Sequence, residues 1–558
     1  MAKTRTPTTA EAVALLEEMG RLMSLNGENV FKVRAFEKAA GLLGGCEDLE
    51  LRARAGTLTE LEGVGKGIAE VLTEFLLTGE SKAKKQLADS LPEGLLELTE
   101  IPGLGPKKAL QLIEELEVRS VRELEYACRE NRLLKLKGFG PKIQDKILDS
   151  IRFLQSTAGQ VRLDQALAPG EQLAQSMSKL LRSRVELTGA IRRKREVLES
   201  IDLLIEAPKA EIQKDGKPSP ELLKRASGAL VKVKGSAKDL PSIPIHLHFS
   251  SPESWGSEWV RTTSTAEHWA ALGGDQRTDA PDEEKFYSKR KLSFIEPVMR
   301  ETGEEVALAK SGAIHQVLGS DQIQGVFHLH TTRSDGANSL EEMVLAARQR
   351  GYRYLGVSDH SQSAFYAQGL KEDALKDQEK EVRAVQEKFP EIRIFWGIES
   401  DILADGSLDY PASVLKRFDF VIASIHSRFQ MDRETMTERV IQAIRNPYTR
   451  FLGHLTGRLL LGRKGYELDM ERVIREAAKF DVAIEINAHP QRLDIDWRFG
   501  PALRAAGTKV SVNPDAHEVR GYEDTVYGVW VAQKALLPSA LVLNSWDTAK
   551  VESWLKRK

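Results

Sequence analysis

The stretch GVFHLHTTRSDG, residues 325–336, carries a short apolar run that closes on His328-Leu329-His330 and is followed by Asp335. A run this short, bounded by polar residues and glycine, reads as a buried strand, and because alternate strand residues face one side, His328 and His330 share a face. Six further runs follow the same plan: YLGVSDH (354–360), RIFWGIES (393–400), FDFVIASIH (418–426), RFLGH (450–454), VAIEINAH (482–489) and KVSVNPDAH (509–517). Helical segments separate them, which is the signature of parallel β/α units. Seven runs in the last 235 residues predict a distorted barrel one strand short of the common eight. The C-terminal ends of barrel strands open on one mouth, so His328, His330, Asp335, His360, Glu399, His426, His454, Asp515 and His517 should converge there. A single histidine at a strand end is usually a hydrogen-bonded core or surface residue. Nine such groups are not explained in that way, since buried imidazoles without a cation compete for donors, whereas metal binding fixes them as neutral ligands.

The rest of the composition sets the frame. At roughly 150 residues per domain, 558 residues imply three or four domains. Lys plus Arg total 80 against 82 for Asp plus Glu, and 41% hydrophobic with 29% charged residues is a globular balance that excludes a disordered or polybasic chain. Only Cys46 and Cys128 occur, so neither a disulfide framework nor a thiolate zinc site is available within the chain. The opening MAKTRTPTTAEAVALLEEMG has no apolar signal core, and no run approaches a membrane span, so a reducing, cytoplasmic setting with no membrane partner is expected. All eleven histidines lie at or beyond position 246, which places the chemistry late in the chain.

Residues 8–151 show helical spacing throughout, as at Ala12, Leu15, Leu16, Met19 and Met23. Three related turns interrupt the helices: LEGVGKGIA with Gly63 and Gly65, IPGLGPKKA with Gly103 and Gly105, and LKGFGPKIQ with Gly138 and Gly140. The pattern resembles the helix-hairpin-helix motif, in which glycines admit a close backbone approach and the following helix turns its free N–H groups toward a phosphate. DNA is the implied partner. Residues 1–150 hold 22 basic and 25 acidic residues, so contact must come from these turns and a few placed cations such as Lys66, Lys107, Lys108 and Lys142 rather than from a general basic field.

The segment NVFKVRAFEKAA (29–40) with the first turn resembles the N-terminal domain of family X DNA polymerases. In GVGKGIAEVLTEF, Val71 stands where the lyase lysine of eukaryotic members would be, and valine cannot form an imine, so no lyase is expected. VELTGAIRRKREVLESIDLLI resembles the family's nucleotidyltransferase motif, whose strand carries D-x-D, because two carboxylates on one strand face hold the magnesium ions of nucleotidyl transfer. Here the pair reads Ser200-Ile201-Asp202, and IPIHLHFSSPESWG aligns the third carboxylate with His246. Only Asp202 remains of three, so polymerase activity is expected to be lost. Glu199 precedes Ser200 and should face the other side, while Glu196 lies farther off. The thumb segment GGDQRTDAPDEEKFY looks shortened, and Thr263-Ser264-Thr265 stands at the T-G-S signature.

FHLHTTRSDG, SDHS, GIESDILADGSLDYP, VIASIHSRF, GHLTGRLLLGR, EINAHPQRLDID and DAHE resemble the PHP domain attached to bacterial family X polymerases. The resemblance implies that His328, His330, Asp335, His360, Glu399, His426, His454, Asp515 and His517 ligate a three-metal centre, with Glu399 bridging and Glu399, His328, His330 and Asp515 nearest the reaction. Mn²⁺ is favoured and Zn²⁺ or Fe²⁺ would also suit these mixed donors. Arg458 is a weak substrate candidate, and Arg428 and Arg492 also lie near the expected mouth.

The expected chain is therefore multidomain. It has a helical domain (1–85), a fingers-like pair of hairpin turns (86–155), a degenerate α+β nucleotidyltransferase palm (156–255), a thumb-like segment and linker (256–320) and the α/β PHP barrel (321–558). The expected function is a metal-dependent DNA repair phosphoesterase acting as 3′-5′ exonuclease, abasic endonuclease or 3′-phosphatase on gapped, nicked or abasic DNA. The alternatives are a small-molecule phosphatase of histidinol-phosphate type, a polymerase that still fills gaps, and a non-catalytic factor that binds DNA ends.

Overall fold

The computed structural model describes residues 7–44, 46, 48–213, 217–235, 240–274 and 278–556, and it forms two compact units, Met1–Ala158 and Gly159–Lys558. The first six residues and 275–277 of the thumb segment lie outside the described residues. Among the described residues, no helix is long and apolar enough to cross a membrane.

The described elements of the first unit are all helical. Thr8 accepts from the Glu11 N–H while the Glu11 side chain returns to the Thr8 N–H, a capping box that starts the helix Thr9–Leu25. That helix buries Ala12, Leu15, Leu16, Met19 and Met23 against Val33, Phe36 and Leu72. Val71 is buried in the same core, on the helix Lys66–Thr78. A second core, built around Leu98, Leu112, Leu124, Ile147 and Ile151, holds the two later hairpin turns.

In the second unit, a three-stranded sheet pairs Val185–Thr188 antiparallel with Ile201–Glu206, which runs parallel to Ile245–Ser250. The helices Leu163–Leu181 and Pro220–Lys234 share its core. A separate small core joins Val260, Phe286, Tyr287 and Ile295, and Leu536 from the far end of the chain enters it.

The C-terminal part forms seven parallel strands in chain order: Gly325–Val326, Tyr354–Val357, Arg393–Asp401, Phe420–Ser424, Thr449–Leu452, Ala483–Asn487 and Val510–Asn513. All seven predicted runs contribute a strand. A parallel bridge between Leu329 and Ala516, with the His330 N–H donating to the Ala516 carbonyl at 2.8 Å, brings the first and last strands together, so the barrel is nearly closed. Alternation sorts the strand residues into two sets. Ile394, Trp396 and Ile398 pack outward under helices, while Phe327, Phe395, Phe420 and Phe451 meet inside, with Phe327 and Phe451 ring centres 4.9 Å apart. Gly356 and Gly397 make room for the Phe420 ring, which a Cβ would meet at 2.6 and 2.3 Å respectively. The inward parity of Phe395 and Gly397 carries Glu399 inward at the C-terminal end of the same strand.

Candidate metal centre

The nine expected ligands do converge at the C-terminal mouth of the barrel. Four overlapping groups offer donor atoms within 4.8 Å of one another: His330, Asp335, His360 and His517; His328, His454 and Asp515; His328, His330 and Glu399; and His360, Glu399 and His426. Glu399 lies at the centre. Its carboxylate oxygens stand 2.9 Å from His360 Nδ1, 3.0 Å from His454 Nε2, 3.3 Å from His426 Nε2, 3.4 Å from His328 Nε2 and 3.6 Å from His330 Nε2. Asp515 Oδ1 is 3.2 Å from His330 Nε2 and 3.4 Å from His328 Nε2. Asp335 reaches His517 Nε2 at 3.4 Å and His360 Nε2 at 3.6 Å.

The donor set fits cations. His328 Nε2, both ring nitrogens of His330, His360 Nδ1 and Glu399 Oε1 are buried and make no hydrogen bond. Leaving so many polar atoms unsatisfied costs about 1–3 kcal/mol each unless something else meets them, and imidazole nitrogens and carboxylate oxygens aimed at common points are what divalent metals take. The same groups shift one another's protonation strongly. Burial alone lowers an imidazole's pKa, yet Glu399 and Asp335 outweigh it at His360 and carry it up to about 10, and Glu399 with Asp401 carries His426 to about 9. His330, fully buried beside His517 and His360, is pushed down to about 3. Burial would raise Glu399, but the imidazoles of His426, His328 and His360 hold it well below the ordinary carboxylate range.

Carboxylates behind the ligands fix their rings, a layer that the sequence reading did not single out. Glu485 Oε1 sits 2.6 Å from His328 Nδ1, and Glu485 also accepts from the His454 N–H at 2.7 Å and from Asn513 at 3.0 Å. Asp401 is 2.7 Å from His426 Nδ1. Both could have been found in the sequence, since Asp401 shares strand parity with Glu399 and Glu485 is a charge inside the apolar run VAIEIN. Asp359 is wholly buried and holds the loop of Asp335, accepting from the Thr331 N–H at 2.7 Å and from Ser334 Oγ at 2.7 Å.

Arg458 is placed otherwise than expected. Its guanidinium donates to Asp496 and to the carbonyls of Arg492 and Leu493, so three of its five N–H groups tie the loop together. Arg492 instead faces the cluster, with Nε 3.8 Å from Asp515 Oδ2.

The three glycine pairs of the first unit adopt one geometry. Gly63, Gly103 and Gly138 have φ of 79°, 86° and 88°, the left-handed region that glycine enters without strain. Gly65, Gly105 and Gly140 are then N-caps of the helices Lys66–Thr78, Pro106–Leu116 and Pro141–Thr157, with no side chain capping their first turns. A Cβ at Gly65, Gly105 or Gly140 would meet nothing within 4 Å, so the backbone there is open to a ligand.

On the three-stranded sheet, Asp202 pairs in register with His246, as the sequence alignment of the third carboxylate position required. Ser200 Oγ donates to Asp202 Oδ2 at 2.8 Å, while His248 Nε2 and His246 Nδ1 lie 3.1 and 3.3 Å from Oδ1. Neither nearby glutamate restores the charge at this face: Glu199 accepts from Gln160 at 2.9 Å, and Glu196 is engaged by Arg498 at 2.8 Å and by Trp497 Nε1 at 3.3 Å.

Comparison with known proteins agrees with this order of parts. Residues 7–81 match a helix-hairpin-helix domain, 95–152 a SAM-like helix-hairpin-helix tandem, and 327–489 the PHP domain. The chain is 32% identical to the DNA polymerase/3′-5′ exonuclease PolX of Bacillus subtilis, over 98% of this chain and 99% of that protein. It is also 29% identical to a probable phosphatase of a Thermoanaerobacter species and 36% identical to one of Caldicellulosiruptor bescii. Those matches cover 41% and 29% of this chain, and 94% and 63% of the respective relatives. Since the match to the Bacillus protein spans both chains almost end to end and the helix-hairpin-helix and PHP models match in the same chain, the chain belongs to the bacterial family X DNA polymerases with a C-terminal PHP domain.

Proposed function

We propose that this chain is a DNA repair phosphoesterase whose barrel shortens or trims DNA 3′ ends, as a 3′-5′ exonuclease with abasic endonuclease or 3′-phosphatase action, and whose polymerase activity has been lost. The observation that carries the reading is the cluster of nine donor residues, eight of them around Glu399, with its unsatisfied buried nitrogens. His328, His330, Asp335, His360, Glu399, His426, His454, Asp515 and His517 would hold the metals, with Mn²⁺ favoured over Zn²⁺ or Fe²⁺. Bound there, the metals supply Lewis acidity toward a phosphoester and a nucleophile at neutral pH.

The protein's own groups prepare that chemistry. Glu485 and Asp401 set the ring orientation of His328 and His426 and keep the metal-facing nitrogen basic. Arg492, only partly exposed, presents a guanidinium at the mouth that can neutralise a substrate phosphate. The glycine-capped helices of the first unit supply backbone N–H donors for a DNA phosphate, and gapped, nicked or abasic DNA is the proposed partner. On the middle sheet, Asp202 alone cannot replace three carboxylates around two metals, which supports the loss of polymerase action. The segment boundaries at 85, 155, 255 and 320 assign DNA holding to the first two segments and hydrolysis to the last.

A gapped duplex with a 5′-labelled primer, incubated with the full chain and Mn²⁺ with and without dNTPs, tests both halves. Primer shortening without lengthening is expected. Lengthening would overturn the loss of polymerase action, and turnover of histidinol phosphate without DNA hydrolysis would move the barrel to the small-molecule phosphatases.

A further inference from the structure

Between the second barrel strand and the helix Leu375–Lys388, the chain makes a short turn, Phe365–Ala367, directly after the ligand His360. Phe365 is 83% exposed and Tyr366 66% exposed, although their neighbours Ala364 and Ala367 are buried. Leaving a phenylalanine in water forgoes about 1.5–3 kcal/mol of burial, and Phe365 is the most exposed large apolar side chain among the described residues. The turn is firmly held. The Ser363 N–H donates to Asp409 Oδ2 at 2.7 Å, Gln362 Nε2 donates to the Asp409 carbonyl at 3.1 Å, and Ser361 bridges Leu370. At Gly369 a Cβ would come within 1.9 Å of the Ser361 carbonyl, so only glycine closes this loop.

The turn also faces the metal centre. The Tyr366 ring centre lies 6.1 Å from that of His360 and 6.3 Å from that of His426, with its plane steeply inclined to both imidazoles. A cation lies at the same mouth: Arg492, whose Nε is 3.8 Å from Asp515 Oδ2. An exposed tyrosine ring beside the histidine cluster, with an exposed phenylalanine at the preceding residue of a well-held turn, matches the way nucleic-acid proteins hold unpaired bases, because every base has a π-face and lies one sugar away from a phosphate. A base inside a duplex has both faces already stacked. A phosphate monoester without an aromatic group would have no use for such a platform.

We infer that Phe365 and Tyr366 form a stacking platform for an unpaired nucleobase at a DNA 3′ end, so that the barrel takes single-stranded or frayed ends. The inference rests on the proposed reading of the barrel as a DNA phosphoesterase.

The test uses the full chain and a single-stranded oligonucleotide carrying 2-aminopurine at its 3′ terminus, mixed in EDTA so that no turnover occurs. Wild-type protein should quench the probe at the 3′ position but not at the 5′ position, and the F365A/Y366A double variant should not quench it. Overall affinity is not the readout, because the hairpin turns of the first unit can hold the same strand elsewhere. With Mn²⁺, the rate ratio for removing a base-bearing against an abasic 3′ residue should fall roughly 10-fold in the double variant, the factor expected for losing a stacked base. That ratio should return with F365W/Y366F, which keeps two rings. Unchanged quenching together with an unchanged ratio in the double variant would overturn the platform. If wild-type protein cuts no oligonucleotide, the reading of the barrel fails, and the quenching comparison in EDTA still decides the platform by itself.

Discussion

The chain carries two clusters of histidines and carboxylates, one on the middle sheet and one at the barrel mouth, and they differ in how their polar atoms are satisfied. On the middle sheet, both oxygens of Asp202 are occupied by protein partners, Ser200 on one and His246 with His248 on the other. At the barrel mouth, buried nitrogens of His328, His330 and His360 have no hydrogen bond and point at shared carboxylates. A site whose donors satisfy each other is stable without a cation. A site whose donors are preoriented and unsatisfied gains when a cation arrives. The outer layer differs as well: the barrel keeps Glu485 and Asp401 behind its imidazoles, whereas near the sheet Glu196 is committed to Arg498 and Glu283 to Arg192 and Arg300.

The largest expected effect breaks the comparison at the barrel. His328→Ala should lower Mn²⁺-dependent shortening of a 3′ end by more than about 100-fold, beyond the range seen for losing a partner of a ligand. Circular dichroism should remain that of the wild type, and retained cutting would show that the cluster is not the nuclease. Glu485→Gln should follow, weakening Mn²⁺ affinity about 10- to 100-fold in a titration of metal-free full chain. Equal affinity would mean that His328 needs no orienting carboxylate.

A third prediction concerns what acidic residues do in the middle section. Burial alone would raise Glu283, but the Arg192 and Arg300 guanidiniums outweigh it and bring its pKa down to about 2, against about 4.5 for the free side chain. A depressed folded pKa gives stability that is complete above about pH 4.5 and is lost as pH falls toward 2, on the order of 3 kcal/mol for this group. Thermal unfolding followed between pH 5 and pH 2 should therefore show a steep loss that is shallower in Glu283→Gln, which is also less stable at neutral pH. Parallel curves would remove Glu283 from the account. The smallest effect is expected at the sheet itself: Asp202→Asn should leave 3′ shortening within about twofold of wild type, since independent sites add. A fall as large as that of His328→Ala would show that the two places act together.

Much of this was legible in residue order. Short apolar runs ending in His, Asp or Glu and separated by helical segments gave all seven barrel strands, because a parallel barrel buries each strand and opens its C-terminal end on one mouth. The repeated G-x-G turns predicted the glycine-capped helices, since the first glycine in each takes a left-handed φ. Arg458 was less legible. Its charge suggested a phosphate contact, and only the folded loop reveals that Asp496 and two carbonyls take three of its donors. Phe365 and Tyr366 drew no notice either, because aromatic residues in a sequence read first as core, and only their exposure beside His360 sets them apart.

By itself, then, the sequence determined which groups are candidates for chemistry: nine histidines and carboxylates at or near strand ends, three G-x-G turns before helices, and Asp202 with Ser200 and His246 beside it. The tertiary structure decided which of them meet and which are already spoken for. Closure of the barrel through Leu329 and Ala516 brings His328 and His330 against Asp515, 185 residues beyond His330, and this is a contact between distant segments that no local pattern encodes. Hydrogen-bond satisfaction is likewise a property of the packed chain, because a donor's partner is whatever the fold places within reach of it.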